Sequence, residues 1–262
     1  MNRTGLIIAL VIAALNGLAF GLFPELELSV ARHFHDVVDA GNNTFAWRIY
    51  PPLMLARDIG LWVSTAIIIP VVAVFVFKLI MPTRKLLIPG RAIIFLTATL
   101  ALGPGLLVNV VLKDHWGRSR PIDVTQLGGT ERYVRWWDPR GECPNNCSFV
   151  SGDVAGAFWT IAPAALAPPQ WRALAYGAAL ALGTGMAALR VMAGAHFLSD
   201  AIFAGVFTFL IIWLAHGLIY RWPRTRLSDA HIERAIERIA MPGYLALCSL
   251  FCKKKSGGGK NE

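Results

Sequence analysis

One histidine and a handful of cations carry the chemistry this chain could do. Lys113, Arg118 and Arg120 fall within VVLKDHWGRSRP, and His115 lies among them. Arg190, His196 and Asp200 fall within LRVMAGAHFLSD. Between the two, CSFVSGDVAGAFW sets Ser151, Gly152 and Asp153 at the head of an apolar run. Exposed cations at helix ends ordinarily do no more than anchor the helix at the membrane interface. Several cations converging on one point need an anion between them. Phosphate suits, because guanidinium groups grip two of its oxygens at once. A helix N-terminus offers the same anion free N–H groups and a favourable dipole. Gly152 lets the backbone come close, and Ser151 can add a hydroxyl donor. His196 and Asp200 are four residues apart. On a helix they would share a face, and a carboxylate on one imidazole nitrogen makes the other a better nucleophile or base. The plainer reading is a structural His-Asp pair at a helix start. Asp153 has its own plain reading as a helix cap, yet a carboxylate at the mouth of a membrane helix is costly unless something uses it.

Membrane helices must position these residues. The chain has 262 residues, 55% hydrophobic and only 16% charged, too apolar for an ordinary soluble domain. Apolar blocks predict six spans of roughly the ~20 residues a bilayer requires. They are Gly5–Phe23, Ile59–Ile80, Ala92–Leu112, Phe149–Ala167, Ala173–Met192 and Phe197–Tyr220. The fourth is short and contains Pro163, whose freed carbonyl needs a sheltering partner helix. The net charge of +9 suggests a nucleic-acid binder only until the basic residues are placed. They fall at alternate span ends, which the positive-inside rule makes cytoplasmic. Both termini are then inside, and residues 24–58 and 113–148 face outward. A retained first helix, rather than a cleaved signal peptide, is expected.

Residues 1–222 form one six-helix membrane domain, with the chemistry concentrated in 90–215. Residues 223–262 form a cytoplasmic segment with a mixed-charge helix over Ser228–Ala240, stopped by Pro242-Gly243, and a basic flexible tail. Leu26–Val38 has helical spacing suited to the membrane surface. Cys143 and Cys147 lie in the outward loop, where an oxidising compartment allows a disulfide. A zinc site would need further ligands, and none has the right spacing.

The K-x6-R-P spacing of Lys113 to Pro121, the Ser151-Gly152 doublet and the R-x5-H-x3-D spacing of Arg190, His196 and Asp200 occur in that order. Together they resemble the type-2 phosphatidic acid phosphatase family. The resemblance covers roughly residues 90–215 and implies an all-α, six-helix membrane bundle that needs no metal and no cofactor. It implies that Lys113, Arg120 and Arg190 bind phosphate with Ser151 and Gly152. His196 would attack phosphorus and become a phosphohistidine, with Asp200 orienting it. Two departures stand out. The third motif begins Leu189-Arg190 where the family has Ser-Arg. The middle motif reads Val150-Ser151-Gly152-Asp153 where the family has Pro-Ser-Gly-His, whose His protonates the leaving oxygen. Asp153 could act as that acid, as a base for water, or as a substrate ligand or cap. His115 is a substitute acid and Arg118 an auxiliary cation. The acidic middle motif with its SFVSG lead-in is similar to bacterial lipid A phosphatases. That likeness implies a phosphorylated membrane lipid as partner, no nucleic acid, and a site facing the periplasm from the inner membrane. Phosphatidylglycerol phosphate, undecaprenyl diphosphate and lipid-to-lipid phosphotransfer are the alternatives. Trp136, Trp137 and Tyr133 are expected at headgroup depth, and Arg132, Arg135 and Arg140 could meet a second phosphate.

Overall fold

The computed structural model describes residues 2–38 and 42–256. Helix α1, Arg3–Leu22, is capped by Asn2, whose side chain accepts from Gly5 N at 3.0 Å. Helix α2, Pro24–His33, opens on Pro24, with Glu25 and Glu27 in its first turn and Arg32 and His33 in its last, the arrangement the helix dipole favours. A three-residue antiparallel pair, Asp36–Val38 with Asn42–Thr44, follows. Helix α3, Pro51–Ile80, begins eight residues before the expected Ile59, because Pro51 and Pro52 are suited to a first helical turn. The early start carries Arg57 into the helix.

Helix α4, Gly90–His115, opens into wide π turns from Ala101 onward. Pro104 cannot donate a backbone hydrogen bond there, and Asn109 Nδ2 donates to Pro104 O at 2.7 Å. The expected fourth span is instead two short helices, α5 (Gly152–Phe158) and α6 (Ile161–Leu166). Pro163 cannot donate to the carbonyl of Trp159. That carbonyl accepts from Ala162 N at 2.8 Å, so a tight local turn replaces the sheltering neighbour. Helix α7 is Pro169–Met192 and α8 is Leu198–Arg221. Among the described residues five helices, α1, α3, α4, α7 and α8, are long and apolar enough to cross a membrane.

The broken pair α5–α6 packs against α7 and α8. Phe158 wedges between their glycines: a Cβ at Gly183 would meet its ring at 2.6 Å, and one at Gly205 at 2.8 Å. Trp159 is fully buried, and its indole donates to Thr99 Oγ1 at 3.0 Å. The last helix, α9 (Asp229–Ser256), runs through Pro242 instead of stopping there. Ser228 caps it by accepting from His231 N at 3.2 Å. It docks on the opposite end of the bundle, where Lys78 Nζ lies 3.1 Å from Glu233 and 2.7 Å from Glu237. Residues 257–262, which hold the end of the expected flexible tail, lie outside the described residues.

The long loop between α4 and α5 is stitched back onto the end of α4. Cys147 N donates to Lys113 O at 2.9 Å, and Ser148 N to Arg118 O at 2.7 Å. Cys143 and Cys147 are joined as a disulfide with Cα atoms 5.7 Å apart. The aromatics of this loop turn inward more than expected. Trp136 packs on Phe203 with ring centroids 4.6 Å apart and donates to Gly17 O at 3.0 Å. Tyr133 donates to Glu27 at 2.8 Å. Trp137 alone of the three is exposed.

Candidate active site

His196 lies two residues before α8, is 2% exposed, and has its Nδ1 2.7 Å from Ser148 O. A carbonyl only accepts, so Nδ1 carries the proton and the lone pair sits on Nε2. Burial, and then the charges of Arg190 and Arg120, push the imidazole well below its ordinary pKa. The ring is therefore neutral at physiological pH, as a nucleophile must be.

The expected contact between Asp200 and His196 is not formed. Helix α8 begins at Leu198, so His196 precedes it and the four-residue spacing does not put the two on one face. Asp200 instead turns back on the helix start, where Oδ2 accepts from Phe197 N at 3.1 Å and from Ser148 Oγ at 2.5 Å. Ser148 links the two, taking its hydroxyl to Asp200 and its carbonyl to His196. The other oxygen of Asp200 pairs with Arg118.

Arg118 is likewise not a cleft cation. It is fully buried between Asp200 and Glu27, whose Oε2 lies 2.5 Å from its Nη2. Glu27 also accepts from Ser199 N at 3.2 Å. Sequence reasoning missed Glu27. The available signal was its place on the same face of α2 as the buried Ala31, one residue from buried Leu28. His115 is exposed, with its Nδ1 2.9 Å from Val110 O on its own helix. It makes no hydrogen bond to another site residue among the described residues.

The remaining predicted residues gather above His196. Lys113 at the end of α4, Arg120 just beyond it and Arg190 in the last turn of α7 all bear electrostatically on the ring. The Lys113 side chain has no hydrogen bond or ion pair among the described residues. Arg120 is held by Asn146, donating to its backbone O at 2.7 Å and to its Oδ1 at 3.0 Å. Ser151 stands at the N-cap of α5, but its Oγ makes no capping bond; it is buried without a hydrogen-bond partner among the described residues. A buried hydroxyl left unpaired is costly, and an anion at the helix N-terminus would satisfy it. Gly152 is pressed against Asn109, whose Oδ1 would sit 2.5 Å from a Cβ there.

Asp153 holds two arginines on one oxygen. Arg57 Nε donates to Oδ2 at 2.7 Å, and Arg190 Nε lies 3.2 Å from the same atom. The second contact is a charge pair without hydrogen-bond alignment, since Arg190 Nε has no hydrogen-bonding partner among the described residues. Oδ1 forms no hydrogen bond among the described residues. Two adjacent guanidinium groups favour the charged form of this carboxylate. Arg57 and Arg48 were not anticipated. With Arg120, Arg190 and Trp47 they line a hollow of about 80 Å³ beside Ala195. Farther out, Arg132, Arg135 and Arg140 border an open hollow of about 550 Å³ with Trp137. Asp138 already pairs with Arg140 there, at 2.8 Å.

A bundle of membrane-length helices that gathers cations, a helix N-terminus and a neutral histidine at one end is built to handle phosphate esters. The chain belongs to the PAP2 superfamily, whose profile matches residues 92–226. It is 33% identical over 228 residues to a protein named Lipid A 4'-phosphatase from Francisella tularensis subsp. novicida, covering 84% of this chain and 98% of the relative. A Lipid A 4'-phosphatase of Rhizobium leguminosarum is 40% identical over 117 residues, 45% of this chain and 50% of that protein. One of Rhizobium etli is 39% identical over 116 residues, 44% of this chain and 45% of its own length. No solved structure matches the chain.

Proposed function

We propose that the protein is a membrane phosphatase that removes a phosphate from the headgroup of lipid A. The observation that carries this is His196: buried, neutral, with Nδ1 committed to Ser148 O and Nε2 left as the attacking atom beneath a ring of cations. The likeness to Lipid A 4'-phosphatases along nearly the whole of one relative supports the substrate. The broken pair α5–α6 acts as the sixth crossing of the bundle. Basic residues at alternate span ends favour an inner-membrane orientation with both termini cytoplasmic and His196 facing the periplasm.

The chemistry follows in two halves. Lys113, Arg120 and Arg190, with Ser151 Oγ and the N–H groups at the start of α5, hold the phosphate and stabilise charge on its equatorial oxygens. His196 Nε2 attacks phosphorus, the bond to the lipid oxygen breaks, and that oxygen takes a proton. Water then attacks the phosphohistidine, loses a proton, and releases phosphate and free histidine. Asp153 exchanges those protons through Oδ1 while Oδ2 stays with the arginines. A bound phosphate dianion beside it is a like charge, which eases protonation of the carboxylate once substrate is in place. Asp200 is a positioning residue that acts on His196 through Ser148.

The test is phosphate release by purified protein from a panel of lipid A, phosphatidylglycerol phosphate and undecaprenyl diphosphate. Preferential release from lipid A is expected. Preference for either of the others would overturn the substrate, and transfer of the phosphate to a second lipid without free phosphate would overturn hydrolysis.

A further inference from the structure

The PAP2 match begins at residue 92, so nothing in it accounts for the arginines that α3 and the segment before it bring to the cleft. Arg57 Nε donates to Asp153 Oδ2 at 2.7 Å, the same oxygen that Arg190 Nε approaches at 3.2 Å. Arg57 is thus pinned by its Nε edge, and Arg190 is drawn to the same oxygen as a charge pair. Arg57 Nη1 has only a 3.4 Å contact with half-exposed Asp58, and Nη2 forms no hydrogen bond among the described residues. Arg190 spends neither Nη group on a protein partner there. Arg57 lines the same hollow as Arg48, Arg120 and Arg190; Asp153 and Asp58 pair with Arg57 and Asp123 bears on Arg120, which leaves the four cations only partly balanced. Arg57 Nη2 and both Nη groups of Arg190, without hydrogen bonds among the described residues and side by side in a hollow with more cations than carboxylates, form a socket for a doubly charged oxyanion.

We propose that Arg57 is a phosphate-binding residue of this site, delivered by α3 and aimed by Asp153. The proposal rests on the phosphatase reading for its substrate and not for its binding event. It explains why a carboxylate stands where the family has histidine. A carboxylate can hold Arg57 and Arg190 by their Nε edges, and an imidazole cannot hold both. It also makes α3 part of the active site. The competing possibility is that Arg57 merely neutralises Asp153; the hollow would then keep its phosphate affinity without Arg57.

The experiment compares wild type with Arg57→Ala, Arg57→Lys, Asp153→Asn and the surface control Glu25→Gln. It measures KM and kcat for lipid A, and the calorimetric affinity for inorganic phosphate. Losing one charge-assisted pair predicts that Arg57→Ala raises KM and weakens phosphate binding together, by roughly 10- to 100-fold. Arg57→Lys restores part of both, because it keeps the charge and loses the fork. Asp153→Asn weakens phosphate binding in the wild-type Arg57 background, and adds little once Arg57 is gone. Glu25→Gln, exposed and on a different helix from Arg57, leaves both within about twofold, as an ordinary surface change should. Phosphate affinity and KM within about twofold of wild type in Arg57→Ala would overturn the proposal. If that variant does not fold, an Arg57→Lys protein with unchanged affinity and KM overturns it instead. Wild type that binds phosphate but hydrolyses no lipid would sink the phosphatase reading, and the calorimetry would still decide Arg57.

Discussion

Replacing Glu27 by Gln should destabilise the protein far more than its place outside the PAP2 match suggests. Glu27 and Arg118 both have side chains 0% exposed and lie 2.5 Å apart. The carboxylate also accepts from Tyr133 and Ser199. Breaking a buried pair by removing one charge typically costs about 3–5 kcal/mol, because the surviving charge is stranded. Arg118 keeps Asp200 as a second partner, so the lower end, about 3 kcal/mol, applies. For a chain of this size each kcal/mol is worth about 2–4 °C, so the midpoint in detergent should fall by roughly 6–12 °C. The effect should reach catalysis, since Arg118 holds Asp200, Asp200 holds Ser148, and Ser148 orients His196. Glu25→Gln is the control. Glu25 is on the same helix, exposed, and 3.9 Å from Arg32, a pair worth at most about 1 kcal/mol. The assay is thermal unfolding of both variants beside wild type, with turnover of the folded fraction. A Glu27→Gln midpoint no lower than that of Glu25→Gln would refute the reasoning, and so would a lowered midpoint with unchanged kcat.

Three further outcomes follow from the site geometry. Gly152→Ala should lose about 1–3 kcal/mol by overpacking against Asn109, whose Oδ1 would lie 2.5 Å from the new methyl group. Adding Asn109→Ala should recover much of that in thermal unfolding, and no recovery would mean that the strain lies elsewhere. The acid limb of the pH–rate profile should fall below pH 6.5, because burial and the nearby arginines hold the His196 pKa well below that value. The same shift acts on stability. As pH falls through 6.5 the unfolded chain binds a proton that the native His196 refuses, so the fold weakens with falling pH until the native value is reached. Unfolding measured between pH 7 and 5 should therefore show a shallower decline in His196→Gln than in wild type.

The sequence made the ends of the site legible and hid its supports. Lys113, Arg120, Ser151, Gly152, Arg190 and His196 stand out in the sequence because each lies in a short spacing motif at or near a helix end, and Lys113, Arg120 and Arg190 come near His196 in the structure. What connects them could not be read off. Arg118 sits two residues from Arg120 yet points into the protein, because Glu27, ninety-one positions away, is there to meet it. The His196–Asp200 spacing suggested a shared helix face, but the helix starts between them and Ser148 carries the link. Arg57 was assigned to a connecting segment because the apolar run starts at Ile59, and the earlier start of α3 at Pro51 makes it a site residue. Four of the long apolar helices were recognisable from hydropathy to within a few residues at their ends, α3 reaching further back. The single span expected over 149–167 was wrong in form, since Pro163 denies Trp159 its hydrogen bond and the helix breaks there.

The most direct test of the account is to trap its covalent intermediate. Purified protein is mixed with lipid A carrying a radiolabelled phosphate, quenched in base, and examined for label that stays on the protein but is released by acid. Wild type should carry that label at His196, and His196→Ala should carry none and release no phosphate while remaining folded at pH 7. Labelled protein or continued phosphate release in the His196→Ala variant would contradict the mechanism.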